Sequence, residues 1–189
     1  MTDSLLRLVL ILLFASAFNL SAGELKPGGV YHLSFQDVDG TNLSTSDGHV
    51  TIVTVVTRAD EDKARKVADL VPDRYVGSEK YRYVTLVNFQ GKLPGPFQGL
   101  TRAIIRNRLG VEARELLPDY AKRKITHDPR GDLHAIADFD GKAVGQLGLP
   151  VENDAVVVFL FNGRGELLAR WNGVPPANGA MAKILAEAR

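Results

Sequence analysis

Three carboxylates stand in a row at Asp60-Glu61-Asp62, directly after a β-branched run and at the start of a helical pattern. Carboxylates at that density suit a divalent cation or general-base work. Consecutive helical positions do not face one another, however, and acids in a first turn are what the helix dipole favours. Thr57, three residues before Asp60, adds a spacing like that of a capping box. The stretch Ala59, Asp60, Glu61, Asp62 is therefore read as a capped helix start.

Two other groups invite metal chemistry. His127, Asp128, Asp132 and His134 lie close in sequence, but none has a ligand spacing such as H-E-x-x-H, and they straddle the Pro129-Gly131 turn. Asp37, Asp39 and Asn42 superficially resemble a calcium loop, yet Gly40 stands fourth where an EF-hand needs glycine sixth, so a hairpin turn is expected. No metal and no cofactor is expected. The chain contains no cysteine, which removes every reaction that needs a thiolate. No Ser-His-Asp order, phosphate-binding glycine loop or catalytic carboxylate pair is placed, and no catalytic residue is assigned.

What remains is a candidate binding surface. Arg102, Arg106, Arg108, Arg114, Lys122, Arg123, Lys124 and Arg130 crowd the middle of the chain, whereas the whole sequence carries a net charge of only +1. That overall balance argues against a nucleic-acid binder. The arginines are expected on the outer face of helices whose buried stripe is Ile104, Ile105, Leu109, Leu116 and Leu117. Just before them, Leu93-Pro94-Gly95-Pro96-Phe97 reads as a stiff loop, with Phe97 tucked beneath it as an anchor. Phe97, Arg102, Arg106 and Arg108 are the binding candidates.

The elements that must position these groups follow from periodicity. Residues 30–38 alternate as a strand that turns at Asp39-Gly40 toward a short return strand at Leu43. Residues 49–57 are apolar on both faces, as in the middle of a covered parallel sheet. Ala64, Val67, Ala68 and Val71 have helical spacing, stopped by Pro72. Strands are expected over 81–89, 133–138, 155–161 and 166–171, the last two joined as a hairpin through Asn162-Gly163-Arg164-Gly165. Residues 100–124 read as one or two helices broken near Gly110 and Pro118, and 177–189 as a terminal helix. Alternating strands and helices ending in a hairpin imply an α/β fold with a mixed sheet flanked by helices.

Residues 1–22 read as a secretory signal peptide: Arg7 is basic, residues 8–14 are apolar, and small residues follow through Gly23. Cleavage is expected after Ala17 or Ala22, leaving one domain over 23–189, periplasmic or secreted, with no stable transmembrane anchor.

Within this order, Leu33-Ser34-Phe35-Gln36-Asp37-Val38-Asp39-Gly40 with Leu43 resembles the entry hairpin of peroxiredoxins and TlpA-type exported thioredoxins. Residues 143–150 resemble the short helix and turn before their last hairpin, and 159–165 the hairpin itself. A thioredoxin-like three-layer fold is what this resemblance implies. Val87-Asn88, Leu93-Pro94-Gly95 and residues 155–158 leading to Gly165 are similar to the YtfJ family of small exported proteins, a likeness that implies fold and compartment more than activity. In active members of the superfamily the nucleophilic cysteine follows the first central strand, at a helix N-terminus. Residues 59–62 occupy that place here. The proline lining the thioredoxin substrate groove has no direct counterpart beside Ala155-Val156, since Pro150 lies several residues earlier.

The expected function is thus an exported, non-redox module binding an envelope or exported protein, or a small ligand, through the 91–99 loop and the adjoining basic helices. The alternatives are a redoxin-class oxidoreductase or antioxidant protein of cysteine-free type, and a metal-dependent protein using His127 and His134.

Overall fold

The computed structural model describes residues 23–188, so the signal-peptide reading of residues 1–22 lies outside the described residues. A two-stranded antiparallel hairpin, β1 (Ser34–Gln36) and β2 (Asn42–Ser44), comes first. The main sheet follows, with β3 (Val50–Val56), β4 (Tyr81–Asn88), β5 (Leu133–Asp138), β6 (Val157–Phe161) and β7 (Leu167–Asn172) in the order β5-β4-β3-β6-β7. β3, β4 and β5 are parallel, and β6 and β7 run against them. Every residue of β3 is buried, which is why its sequence is a continuous β-branched run rather than an alternation.

Two cores lie on opposite sides of this sheet. On one side Val53, Val55, Leu86, Phe159 and Phe161 pack against Phe35 and Leu43 of the hairpin and against helix α3 (Lys142–Gln146). On the other, Ile52, Val158 and Leu160 meet Val67 of α1 (Glu61–Ala68) and Met181 and Leu185 of α4 (Ala180–Glu187). Trp171 packs on this second core. The remaining helix, α2 (Gly95–Lys122), lies against β5 and the 3-10 turn Pro129–Asp132.

Several boundaries differ from expectation. The strand expected over 30–38 shrinks to Ser34–Gln36, with Val30 making only an isolated bridge to Glu166. Residues 100–124 form neither two helices nor a broken one, because α2 runs without interruption through Gly110 and Pro118. It also begins at Gly95, so the expected 91–99 loop ends at Pro94. Pro96 sits in the first helical turn, where a backbone N–H has no partner to lose. Phe97 is consequently a helical residue and is 56% exposed, not an anchor under a loop.

Candidate functional site

The carboxyl ends of the parallel strands form the edge at which α/β proteins commonly place chemistry. At the end of β3, Thr57 Oγ1 donates to Asp60 Oδ2 at 2.7 Å and accepts from the Ala59 amide at 3.3 Å. Lys63 Nζ lies 2.6 Å from Asp60 Oδ1. Asp60 is buried, and the hydrogen bonds from Lys63 and Thr57 hold its carboxyl below the usual range against the opposing effect of burial. The expected capping box is not formed: α1 starts at Glu61 after a 3-10 turn, and the Asp60 side chain at its N-cap accepts from no backbone amide of the helix. Ala59 and Asp62 are exposed. This turn is a closed polar cluster in which the buried carboxylate is already matched by an ammonium and a hydroxyl.

At the ends of β4 and β5, Asn88 and Asp138 face each other in register, and both are buried. Asn88 Nδ2 donates to the Val151 and Asn153 carbonyls, while its Oδ1 accepts from the Gln90 amide. Asp138 accepts from the Gly141 amide at 2.9 Å and the Val144 amide at 2.8 Å, satisfying the start of α3. Burial raises the Asp138 carboxyl above its usual range. Asp140, by contrast, is held low by its hydrogen bond from Lys142. Sequence reasoning missed Asn88 and Asp138 as the polar members of this edge. The signal was a polar residue closing each of two apolar strands.

The histidines do not converge. His127 Nε2 is 2.8 Å from Asp132 Oδ2, which also accepts from Tyr120 Oη, whereas His134 Nδ1 turns to Asp37 Oδ2 at 3.1 Å. Asp128 accepts from the Arg130 amide within its own turn. Among the described residues, no group of three His, Cys, Asp or Glu is placed to hold a metal. Asp37 Oδ1 binds the Asp39 and Thr41 amides, and Asp39 pairs with Arg130, so the D-x-D-G segment is a hairpin turn.

Helix α2 is where the predicted residue set is rearranged. Its inward-facing positions are Ile105, Leu109, Ala113, Leu116 and Tyr120, and of these Ala113 and Tyr120 are buried. Ile104 and Leu117, expected inside, are 49% and 51% exposed. Phe97, Leu100, Ile104 and Val111 recur at i, i+3, i+7 and i+14 and fall within about 60° of one another on the outer face. That is the seam spacing of a helix meeting another helix. Arg102 stacks its guanidinium 4.7 Å from the Phe139 ring, which in turn packs on Phe89, and so ties α2 to the sheet edge. Arg106 and Arg108 are exposed. From Gly91 to Val111 the chain carries Lys92, Arg102, Arg106 and Arg108 and no acid.

The architecture has counterparts among solved structures. A thiol:disulfide interchange protein of the thioredoxin family from Chlorobium tepidum superposes with a TM-score of 0.52 at 10% identity, covering 88% of this chain and 99% of that one. The fold is thioredoxin-like. A peroxiredoxin-like protein from Aquifex aeolicus gives 0.52 at 13% identity over 89% and 91% of the two chains. BsSco, a member of the Sco family of cytochrome c oxidase assembly proteins, gives 0.51 at 14% over 88% and 96%. No known protein-family pattern and no curated protein sequence matches the chain. On the thioredoxin-like scaffold, the turn after β3 holds Ala59 to Asp62 and a carboxylate-ammonium pair. Among the described residues no peptide bond is cis, and Pro150 is therefore trans.

Proposed function

We propose that this chain is an exported thioredoxin-fold binding module whose α2 docks an acidic amphipathic helix of another protein. The carrying observation is the exposed seam Phe97, Leu100, Ile104 and Val111 within a segment that is basic and free of acids. Charge selects the occupant. At 100° per residue Arg108 flanks this seam, and a parallel second copy paired through it would bring Arg108 against its own counterpart, which like-charge repulsion disfavours; Arg102 and Arg106 lie on the opposite side of α2, where Arg102 stacks on Phe139. A helix with apolar residues at heptad spacing and glutamates beside them satisfies both halves of the surface. Export rests on residues 1–22, and the narrower likeness to the YtfJ family rests on the short segments named above.

The test uses two synthetic three-heptad peptides with the same apolar seam, one flanked by Glu and the other by Lys, titrated into the chain from residue 23 by fluorescence anisotropy. The Glu peptide is expected to bind, more weakly as salt rises, and Ile104→Glu or Phe97→Ala should weaken it at least tenfold with little change in thermal midpoint. Equal binding of both peptides, or binding of neither, overturns the reading.

A second reading has its own support. The neighbours in structure include a thiol:disulfide interchange protein and a peroxiredoxin-like protein, which favours an oxidoreductase or antioxidant of atypical, cysteine-free type. Purified chain without added thiol protein would then consume peroxide or reduce a disulfide substrate catalytically. Turnover above the buffer rate would replace the binding reading with this one.

A further inference from the structure

Arg82 is a charged residue inside a strand, and it is buried where the amino ends of β3 and β4 meet the loop 45–49 that leads out of the hairpin. Burial demands acceptors for its N–H groups. Nη1 donates to the Ser44 carbonyl at 3.2 Å and to Asp47 Oδ2 at 2.9 Å, so one side chain ties the end of β2 and the loop to β4. Nη2 lies 2.6 Å from His49 Nδ1, and the same Nδ1 lies 2.8 Å from Asp47 Oδ1.

One imidazole nitrogen is thus claimed by a group that can only donate and by a group that, while ionised, can only accept. Nδ1 carries either a lone pair or a proton, so it serves Arg82 or Asp47 but not the two together. Burial works to raise the Asp47 carboxyl, yet the hydrogen bonds from His49 and Arg82 hold it below the usual range. Asp47 and Arg82 therefore both keep their charges between about pH 5 and 8, where histidine ordinarily titrates, and the ring is the member of the cluster that changes. The elements packed around it carry other ionisable groups: His32 beside the Leu33–Thr45 bond, Glu79 and Lys80 ahead of β4, the Arg164–Glu166 pair in the turn after β6, and the His134–Asp37 pair farther along the same face of the sheet. Among the described residues none of these makes a polar contact with His49, whose side chain meets Asp47 and Arg82.

We infer that His49 is a proton-operated latch at the amino end of the sheet: the neutral ring accepts from Arg82 and closes loop 45–49 onto β4, whereas the protonated ring donates to Asp47 and turns away from Arg82. Arg82 is the anchored partner, with Ser44 and Asp47 on its other nitrogen, and His49 is partly exposed, so the ring is what moves. The movement has a route. The Gly48 amide donates to the Gly163 carbonyl at 3.0 Å, and a Cβ at Gly163 would come within 2.6 Å of the Gly48 carbonyl oxygen, so the loop and the turn between β6 and β7 are in backbone contact. That turn also accepts the Tyr31 amide at the Gly165 carbonyl. Acid therefore loosens the end of the domain where the hairpin, β3 and the β6–β7 turn meet. This device involves no residue of α2 and does not rest on the docking reading.

NMR on the chain from residue 23, titrated from about pH 8 to about pH 5, tests this. The His49 ring nitrogens should show Nδ1 unprotonated at the upper end, and the amides of residues 44–49, Arg82 and Gly163 should shift with the same midpoint as the ring. Hydrogen-exchange protection of the 44–49 amides, corrected for the intrinsic pH dependence of exchange, should fall at least about threefold across that midpoint, while amides in the middle of β3 and β6 keep theirs. His49→Gln supplies an uncharged acceptor for Arg82 and should hold the loop closed at both ends of the range, abolishing the response. A neutral ring that carries its proton on Nδ1, no charge change at His49 in this range, unchanged loop protection, loop amides that follow another histidine's midpoint, or a response that persists in His49→Gln would each overturn the inference. All but the last are read on the unaltered chain and do not depend on the variant folding.

Discussion

Replacing Asp138 by alanine tests whether the carboxyl edge is held by side-chain-to-backbone bonding or only by packing. The carboxylate is 4% exposed and is the acceptor for the Gly141 and Val144 amides at the start of α3. Hydrogen bonds to a charged acceptor contribute about 1.5–3 kcal/mol each, and part of that is offset by the cost of burying the charge, so the net loss is about 3 kcal/mol. In a domain of this size each kcal/mol moves the thermal midpoint by about 2–4 °C, giving a fall of about 6–12 °C. With a urea slope of about 2 kcal/mol/M the denaturation midpoint should drop by about 1.5 M. The pH dependence adds a sign. Burial raises the Asp138 carboxyl above its ordinary value of 3.8, so between that value and its folded pKa the native state holds a proton that the unfolded chain releases. The contribution of Asp138 to stability therefore falls as pH rises through that window, and the gap between the parent and Asp138→Ala should widen as pH is lowered from neutral toward 4. A midpoint shift below about 0.3 M, or a gap that narrows on acidification, would refute the argument.

Asp60→Asn is expected to destabilise at neutral pH, because Lys63 loses its charged partner. Since Lys63 and Thr57 lower the Asp60 pKa, its contribution is complete above 3.8 and disappears as pH falls through the depressed folded value, so parent and variant should converge on the acid side in urea titrations. Ile104→Asn should change stability by no more than about 0.5 kcal/mol, since the side chain is 49% exposed, and a larger loss in chemical denaturation would place Ile104 in a contact the outer face does not have. Lys124 sits just past α2 with φ of 59°, a left-handed conformation that glycine adopts without strain. Lys124→Gly should leave the chain equally stable or raise it by about 0.5–1 kcal/mol, whereas Lys124→Val should lower the thermal midpoint.

The strands were readable because burial dictates their composition directly. β3 needs apolar side chains on both faces and has them, and β5 was expected over the six residues it occupies. The Asp39-Gly40 turn was equally plain, because Gly40 has a φ of 86° and Asp37 supplies its turn acceptor. α2 was harder for two physical reasons. Glycine costs a helix only about 1 kcal/mol and proline in the first turn almost nothing, so Gly99, Gly110 and Pro96 weaken a helix without ending it. Its outer seam, moreover, is as apolar as its inner stripe, and periodicity alone cannot say which of two adjacent isoleucines, Ile104 or Ile105, faces the sheet. Asn88 and Asp138 escaped notice because their partners are backbone amides and carbonyls, which no side-chain pattern announces.

The distribution of satisfied and unsatisfied groups is what separates scaffold from surface in this thioredoxin-like fold. After β3 the polar side chains are committed to one another: Asp60 to Lys63 and Thr57, with the Thr57 hydroxyl also serving the backbone. The same holds for Asp37, which spends one oxygen on turn amides and the other on His134, and for Asp138 at the start of α3. A group whose bonding capacity is filled within the chain offers a partner little beyond its charge. The exposed seam of α2 is the reverse case. Phe97, Leu100 and Ile104 leave between 49% and 61% of their surface in water, an apolar stripe from whose exposure a monomer gains nothing. Arg102 fixes that stripe to the sheet edge through Phe139 and Phe89, both buried, so the seam is presented by a braced helix rather than a loose one. Bracing lowers the ordering cost of docking, and this face, unlike the turn after β3, keeps apolar surface in water.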